Sequence, residues 1–413
     1  MKRWLAVSLA VALASACPSG CAVHIPALPV DSVQAAPPRD LHAELEQEVG
    51  VSFHPDNRLT LAENSAVFDA IEGAIRRARV SVNIVTFIWR PSAPSDRVLR
   101  VLLERARAGV TCRVLVDDLG SPKFDARVRP KLEKAGCIVL SHRPREDDVI
   151  ERNHRKIVVV DGTVAVTGGF GIWWSWEGNG REKEQWRDSN VLVEGPVVRD
   201  LQRAFESSWL QSGGEPLPAI ELRNPPPAGH SLAAFVASGA ADLEGGATHT
   251  RAERATALLI RSARKRIWIA NSYFVPSTEI MSLLVAKARS GVDVRILAPG
   301  PVHDWTSIRA AQRDGYPELV AGGVQIFEYQ PSMMHSKTMV VDDRLVMIGS
   351  TNMDPLSLRQ MEEGSLVAED PVLARELERH LEQDFQWSQK IVNPRAGPYG
   401  WASRLVVWLI GRL

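Results

Sequence analysis

A nine-residue pattern occurs twice in this 413-residue chain, from His154 to Gly162 and from His335 to Asp343, with His, Lys and Asp at the same three places in each copy. Such a duplication constrains the fold, because two equivalent strands must sit in equivalent surroundings. Residues i and i+2 of a strand point to the same side, so His154 with Lys156, and His335 with Lys337, each set a nucleophile or proton carrier beside a fixed cation. Phosphoryl chemistry uses both. After each Lys come β-branched and apolar residues, then a turn at Asp161 and Gly162 or at Asp342 and Asp343, then a second strand (Val164 to Thr167, Leu345 to Ile348), which is the pattern of a hairpin. The candidate catalytic set is therefore His154, Lys156, Asp161, His335, Lys337 and Asp342, with the two Asp expected to fix turns rather than touch substrate.

A lone His-x-Lys-x4-Asp match arises by chance in a chain this long on the order of a few per cent of the time. Here the surroundings repeat as well. Gly168 and Gly169 follow the first copy at the same distance as Gly349 and Ser350 follow the second. Glu104 to Leu115 answers to Ala286 to Leu297, each a helix end, a Gly stop and a buried strand. Upstream, Ala74 to Trp89 answers to Leu259 to Val275, and downstream Leu132 to Leu140 answers to Leu319 to Phe327. Helices alternating with short apolar strands predict an α/β fold in which each half has a sheet covered on both faces. Two halves packed about a pseudo-two-fold axis would bring the motif strands to one site at their interface. By composition the first half runs over 46–218 and the second over 247–395, joined by a Gly-, Pro- and Ala-rich connector at 219–246.

The whole pattern resembles the phospholipase D superfamily and, within it, the bacterial cardiolipin synthases. The resemblance runs from about Asn57 to about Trp387 and includes Thr86 to Trp89, Ala108 to Asp117, Trp186 to Asp188, Tyr273 to Pro276 and Gly349 to Asp354. It implies two pseudo-symmetric phospholipase D-like α/β/α sandwich halves with mixed sheets and a double displacement at phosphorus. One His attacks the phosphodiester, while the other protonates the leaving alkoxide and later deprotonates the incoming alcohol or water. By the same resemblance His154 is the nucleophile and His335 the general acid/base. Lys156 and Lys337, with Ser350 and Asn352, would hold the equatorial oxygens. Asp188 and Glu363 would orient the imidazoles across the halves, Glu363 behind His154 and Asp188 behind His335. No metal and no cofactor are implied. Two positions depart from the family pattern: Gly171 stands where an Asn matching Asn352 is usual, and Met361 where an Asn is common before Glu363. A lopsided phosphate cradle is expected.

Lys plus Arg equals Asp plus Glu, a formal net charge of +0, so no global field draws a polyanion and no nucleic-acid partner is expected. Lys2 and Arg3 precede an apolar run from Trp4 to Ala16 that ends in small residues, which reads as a signal peptide over 1–16 and an exported, cell-envelope protein. Cys17 follows directly and is a candidate for lipidation, beside plain cleavage and an uncleaved anchor; 17–45 reads as a Pro- and Ala-rich tether. Residues 396–413 carry Trp401, Trp408, Arg404 and Arg412 in an apolar tail, suited either to a membrane interface or to docking on the body. Trp173, Trp174 and Trp176 are expected to form a lipid-facing rim. Cys112 and Cys137 are expected to be buried free thiols, given the ample core.

These readings converge on a membrane-associated phosphatidyltransferase acting on phospholipid, with phosphatidylglycerol as donor and acceptor and cardiolipin as product. The alternatives are a hydrolytic phospholipase D, a nuclease of the same superfamily, and a noncatalytic lipid-binding protein of the envelope.

Overall fold

The order of elements repeats as the motifs do, in a computed structural model that describes residues 37–143 and 151–394. The first half runs β1 (His54–Glu63), helix Ala66–Arg76, β2 (Ser81–Thr86), helix Ala93–Arg107, β3 (Thr111–Asp117), β4 (Ile138–His142), β5 (Arg152–Asn153), β6 (Ile157–Val160), β7 (Val164–Gly168), β8 (Trp186–Arg187), β9 (Ser189–Glu194) and helix Val198–Gln211. The second runs β10 (Ser231–Ser238), helix Arg251–Ser262, β11 (Arg266–Asn271), helix Thr278–Arg289, β12 (Asp293–Pro299), helix Thr306–Ala321, β13 (Gln325–Tyr329), β14 (Met333–Met334), β15 (Lys337–Val341), β16 (Leu345–Gly349), β17 (Met361–Glu369), helix Pro371–Gln386 and β18 (Ser388–Ile391).

Each half holds a mixed sheet. Strands β2, β3 and β4 are parallel to one another, as are β11, β12 and β13, while the motif hairpins β6–β7 and β15–β16 are antiparallel. The two sheets join through β1 and β10, which pair antiparallel at His54 with Ala233 and Asn57 with Ser231. Side-chain alternation then sorts the core into layers. In β6, Val158 and Val160 pack with the outer helices of the first half, whereas Ile157 and Val159 enter a central core shared with Trp268, Val340 and Leu366 of the second. Helices Val198–Gln211 and Pro371–Gln386 contribute Phe205 and Leu377 to that central core. The halves are thus held together by a common apolar interior, which keeps the two motif strands in fixed relation.

Both motif turns use left-handed backbone, with φ +53° at Asp161 and at Asp342, a conformation that Asp tolerates better than most side chains. Gly162, at φ +64°, also has the Glu221 carbonyl against it: a Cβ there would lie 2.6 Å from that oxygen. Only Gly fits both demands.

Three expectations from composition are corrected. Residues 219–246 are not a mere connector. Glu221 is buried and accepts from Arg113 Nη1 at 2.9 Å and Asn83 Nδ2 at 2.8 Å, and the apolar run Leu232 to Val236 lies in β10, paired with β17 over seven residues. The flanking Gly and Pro masked a strand. Similarly, although 17–45 reads as a tether, Leu41–Val49 is a helix, capped by Asp40 and packed through Leu41, Leu45 and Val49 on the core of the second half. Cys112 and Cys137 form a disulfide rather than free thiols. The physical reason is strand register: Arg113 pairs with Ile138 in parallel strands, which leaves the two preceding Cα atoms 4.6 Å apart, within bridging distance.

The signal peptide, Cys17 and the 396–413 tail lie outside the described residues. No helix among the described residues is long and apolar enough to cross a membrane.

Candidate active site

The two halves exchange strands at the site. Short β5 runs parallel to the start of β17, with Asn153 opposite Glu362, and short β14 runs parallel to β8, with Met334 opposite Arg187. The amide of His154 therefore donates to the Glu362 carbonyl at 2.9 Å, and that of His335 to the Arg187 carbonyl at 2.7 Å. One residue further along each acceptor strand stands a buried carboxylate. His154 Nδ1 lies 2.8 Å from Glu363 Oε1, and His335 Nδ1 lies 2.8 Å from Asp188 Oδ2. Each imidazole is thus pinned by a carboxylate from the other half. Arg155, pointing away from its neighbours in the motif, pairs with Glu362 at 2.6 Å and reinforces the crossing.

His154, Lys156, His335 and Asn352 line one cleft of ≈ 380 Å³. Lys156 Nζ donates to the His154 carbonyl at 2.6 Å, and Lys337 Nζ lies 3.0 Å from His335 Nε2. Phe87 meets His154 edge-on at 5.0 Å between centroids, and Trp186 stacks on His335 at 4.7 Å. Asn352 Oδ1 accepts from Ser272 Oγ at 2.9 Å, which leaves the amide N–H groups as the donors for an anion.

Burial dominates the electrostatics. It pushes His154 down to about 4 and His335 well below its ordinary value, with Lys156 and Lys337 adding to the effect. Burial also lowers Lys156 to about 7 and Lys337 to about 8, against the pull of Glu363 and Asp188, and raises Asp188 to about 6. Burial alone would raise Glu363 too, but His154, Lys156 and the Ser350 hydroxyl hold it below the usual carboxylate value. At neutral pH the imidazoles are therefore neutral. With Nδ1–H on a carboxylate, each presents an Nε2 lone pair, the form required of a nucleophile or base. An arriving phosphodiester supplies the negative charge that favours protonated Lys156 and Lys337.

Some candidate residues stand elsewhere. Asp161 accepts the amides of Arg79 at 2.9 Å, Val80 at 2.8 Å and Ser81 at 2.9 Å, and Asp342 those of Arg264 at 2.7 Å, Lys265 at 2.7 Å and Arg266 at 2.9 Å. They tie the motif turns to the loops entering β2 and β11 and are outside the cleft. Ser350 is not at the phosphate position either: its hydroxyl donates to Glu363 Oε2, while Ser357 donates to Glu363 Oε1. Ser357 gave no signal in the sequence, since only the tertiary fold brings it to Glu363.

The expected rim of tryptophans divides. Trp173 lines the cleft and Trp174 is exposed, but Trp176 is fully buried and its indole Nε1 donates to Asp188 Oδ2 at 2.7 Å. This explains Gly171. A Cβ at that position would lie 2.7 Å from Trp176 Cζ3, so the indole fills the space that an Asn side chain would need. Gly171→Asn should therefore lower stability by about 1–3 kcal/mol through overpacking, read as a fall in melting temperature. An unchanged melting temperature with a faster enzyme would show that the cradle was merely vacant.

Two pseudo-symmetric halves, each lending a carboxylate to the other's histidine, define a phospholipase D-type phosphodiester site. The family model described as "Cardiolipin synthase, PLD-like domain" matches residues 71–209 and 257–385, and the chain belongs to that family. It is 35% identical over 336 residues to Cardiolipin synthase A of Pseudomonas fluorescens, covering 80% of this chain and 69% of that protein. With the cardiolipin synthase of Geobacillus kaustophilus it shares 34% identity over 319 residues, 74% of this chain and 62% of the relative. The fold is similar to that of a phosphatidylserine synthase from Haemophilus influenzae, with TM-score 0.63 at 15% identity over 90% of this chain and 97% of that one.

Proposed function

We propose that the protein transfers a phosphatidyl group from one phosphatidylglycerol to another, forming cardiolipin and glycerol through a phosphohistidine. The observation that carries this reading is the pair of neutral imidazoles in one cleft, each held at Nδ1 by a carboxylate of the opposite half. His154 Nε2 attacks phosphorus, the bond from phosphorus to the glycerol oxygen breaks, and His335, which takes up a proton at Nε2 when the phosphodiester brings its negative charge and is backed by Asp188, delivers that proton to the oxygen. In the second step His335 takes the proton of an incoming glycerol hydroxyl, whose oxygen displaces His154. Lys156, Lys337 and Asn352 face the charge that grows on the equatorial oxygens. No step requires a metal ion.

Lipid suits the walls of the cleft. Phe87, Ile88, Trp173, Trp305, Ile308 and Leu356 line it, and Trp174 and Trp305 are exposed, 41% and 47%, as an interfacial surface would be. In this reading the protein works at a membrane surface of the cell envelope, where its donor resides.

Purified full-length protein in phosphatidylglycerol vesicles with chelator present should yield cardiolipin and glycerol. Phosphatidic acid as the sole product would make it a hydrolase. Turnover of no lipid and no oligonucleotide would remove the enzymatic reading.

A further inference from the structure

Three charged side chains that line the cleft have no part in the chemistry above: Arg90 packs over Trp173 and donates to the Gly120 carbonyl, Asp354 caps the helix Pro355–Arg359, and Asp304 has no such structural task. Asp304 lines the cleft on the side of the second half, where Tyr273 Oη donates to its Oδ2 at 2.7 Å. Its other oxygen, Oδ1, is 3.4 Å from His303 Nδ1, but that nitrogen already accepts the Trp305 amide at 2.9 Å and has no proton to offer. Among the described residues no Lys or Arg lies within ion-pair distance of Asp304. A carboxylate beside a phosphodiester site is repulsive to the substrate phosphate. It is therefore favourable there only if it serves a neutral, donor-rich part of the ligand.

The feature is confined to one side. Tyr273 lies two residues beyond β11, and the residue two beyond β2 in the first half is Ile88, an apolar side chain lining the same cleft. The His154 side is walled by Phe87 and Ile88, and the His335 side carries Tyr273 and Asp304. The influence of Asp304 is also felt at His335 and Lys337. This is the side on which the alcohol leaves and enters, since His335 exchanges its proton.

We propose that Asp304, held by the Tyr273 phenol, forms the acceptor subsite, in which Asp304 Oδ1 accepts a hydrogen bond from the glycerol hydroxyl adjacent to the one that reacts. A vicinal diol has one hydroxyl to give its proton to His335 and a neighbouring one to donate to Asp304, whereas a simple alcohol leaves the carboxylate oxygen unpaired. The pair thus sets what captures the phosphohistidine: a glycerol hydroxyl gives up its proton to His335, its oxygen bonds to phosphorus, and the bond to His154 breaks. The proposal rests on the phosphatidyltransfer reading above.

The test is a partition measurement. Full-length protein turns over phosphatidylglycerol vesicles in the presence of free glycerol, propane-1,2-diol, 1-propanol or ethanolamine, and the ratio of alcohol transfer to phosphatidic acid is measured for each. Wild type should favour the two vicinal diols over 1-propanol by about tenfold at equal concentration, the effect of one hydrogen bond to a charged group. Asp304→Asn should lower that preference about tenfold, and Tyr273→Phe should lower it less. Equal capture by diols and 1-propanol in the wild type overturns the subsite, as does an unchanged preference in Asp304→Asn, or ethanolamine as the preferred acceptor. If a variant does not fold, the wild-type series alone decides. Wild type that forms no phosphatidyl product from any acceptor, water included, refutes the parent reading rather than the subsite.

Discussion

His154→Ala should reduce phosphatidyl transfer by at least about 10⁴-fold, the scale on which nucleophile removal acts, and should abolish any acid-labile phosphoenzyme. The side chain is buried beneath Phe87 and linked to Glu363, so its loss leaves, among the described residues, no other imidazole with an Nε2 lone pair on that side of the cleft. His335→Ala should differ in kind. Its proton is essential when the leaving group is a glycerol alkoxide, and dispensable when the leaving group is a stable anion. With a nitrophenyl phosphodiester as donor, His335→Ala should still give a burst of nitrophenolate and trap the phosphoenzyme, because the second step lacks its base. A trapped adduct in His154→Ala, and none in His335→Ala, would reverse the two roles. Both variants remove a side chain from an open cleft rather than from the apolar core, so melting temperatures should distinguish lost chemistry from lost fold.

The parts of this site that could be read in the sequence are those governed by local geometry. His154 with Lys156, and His335 with Lys337, follow from the two-residue period of a strand, and the turns at Asp161 and Asp342 follow from where the apolar runs stop. Asp188 and Glu363 were located only through family resemblance, because each serves a histidine in the opposite half, 147 and 209 residues away. No local pattern encodes such a pairing. Ser350 illustrates the limit: the family resemblance implied a phosphate ligand there, yet its hydroxyl is turned to Glu363. Gly171 is a related case, since the reason for the missing side chain is Trp176, which reaches the same space from the next loop. Composition misled most where short apolar strands lie among Gly and Pro. Ser231–Ser238 looked like a connector and is the strand that carries the second sheet to the first.

Glu363→Gln should slow the first chemical step by about 10³ to 10⁴-fold, by analogy with amide replacements behind other catalytic histidines, while leaving the cleft intact. The carboxylate accepts from His154 Nδ1, Ser350 Oγ and Ser357 Oγ, so all its contacts are donors turned toward a negative charge. An amide keeps the shape but replaces one acceptor by an N–H₂ group. Either that group opposes a donor, or it faces Nδ1 and drives the His154 proton to Nε2, where it blocks attack. The phosphohistidine also loses its counter-charge. Asp188→Asn should act on the other step, through His335. Rapid mixing with a nitrophenyl donor separates the two: Glu363→Gln should lose the burst, and Asp188→Asn should keep it and slow the turnover that follows. Were each carboxylate to serve the histidine of its own half, the two results would exchange, and the crossing of β5 with β17 and of β14 with β8 would have no bearing on catalysis.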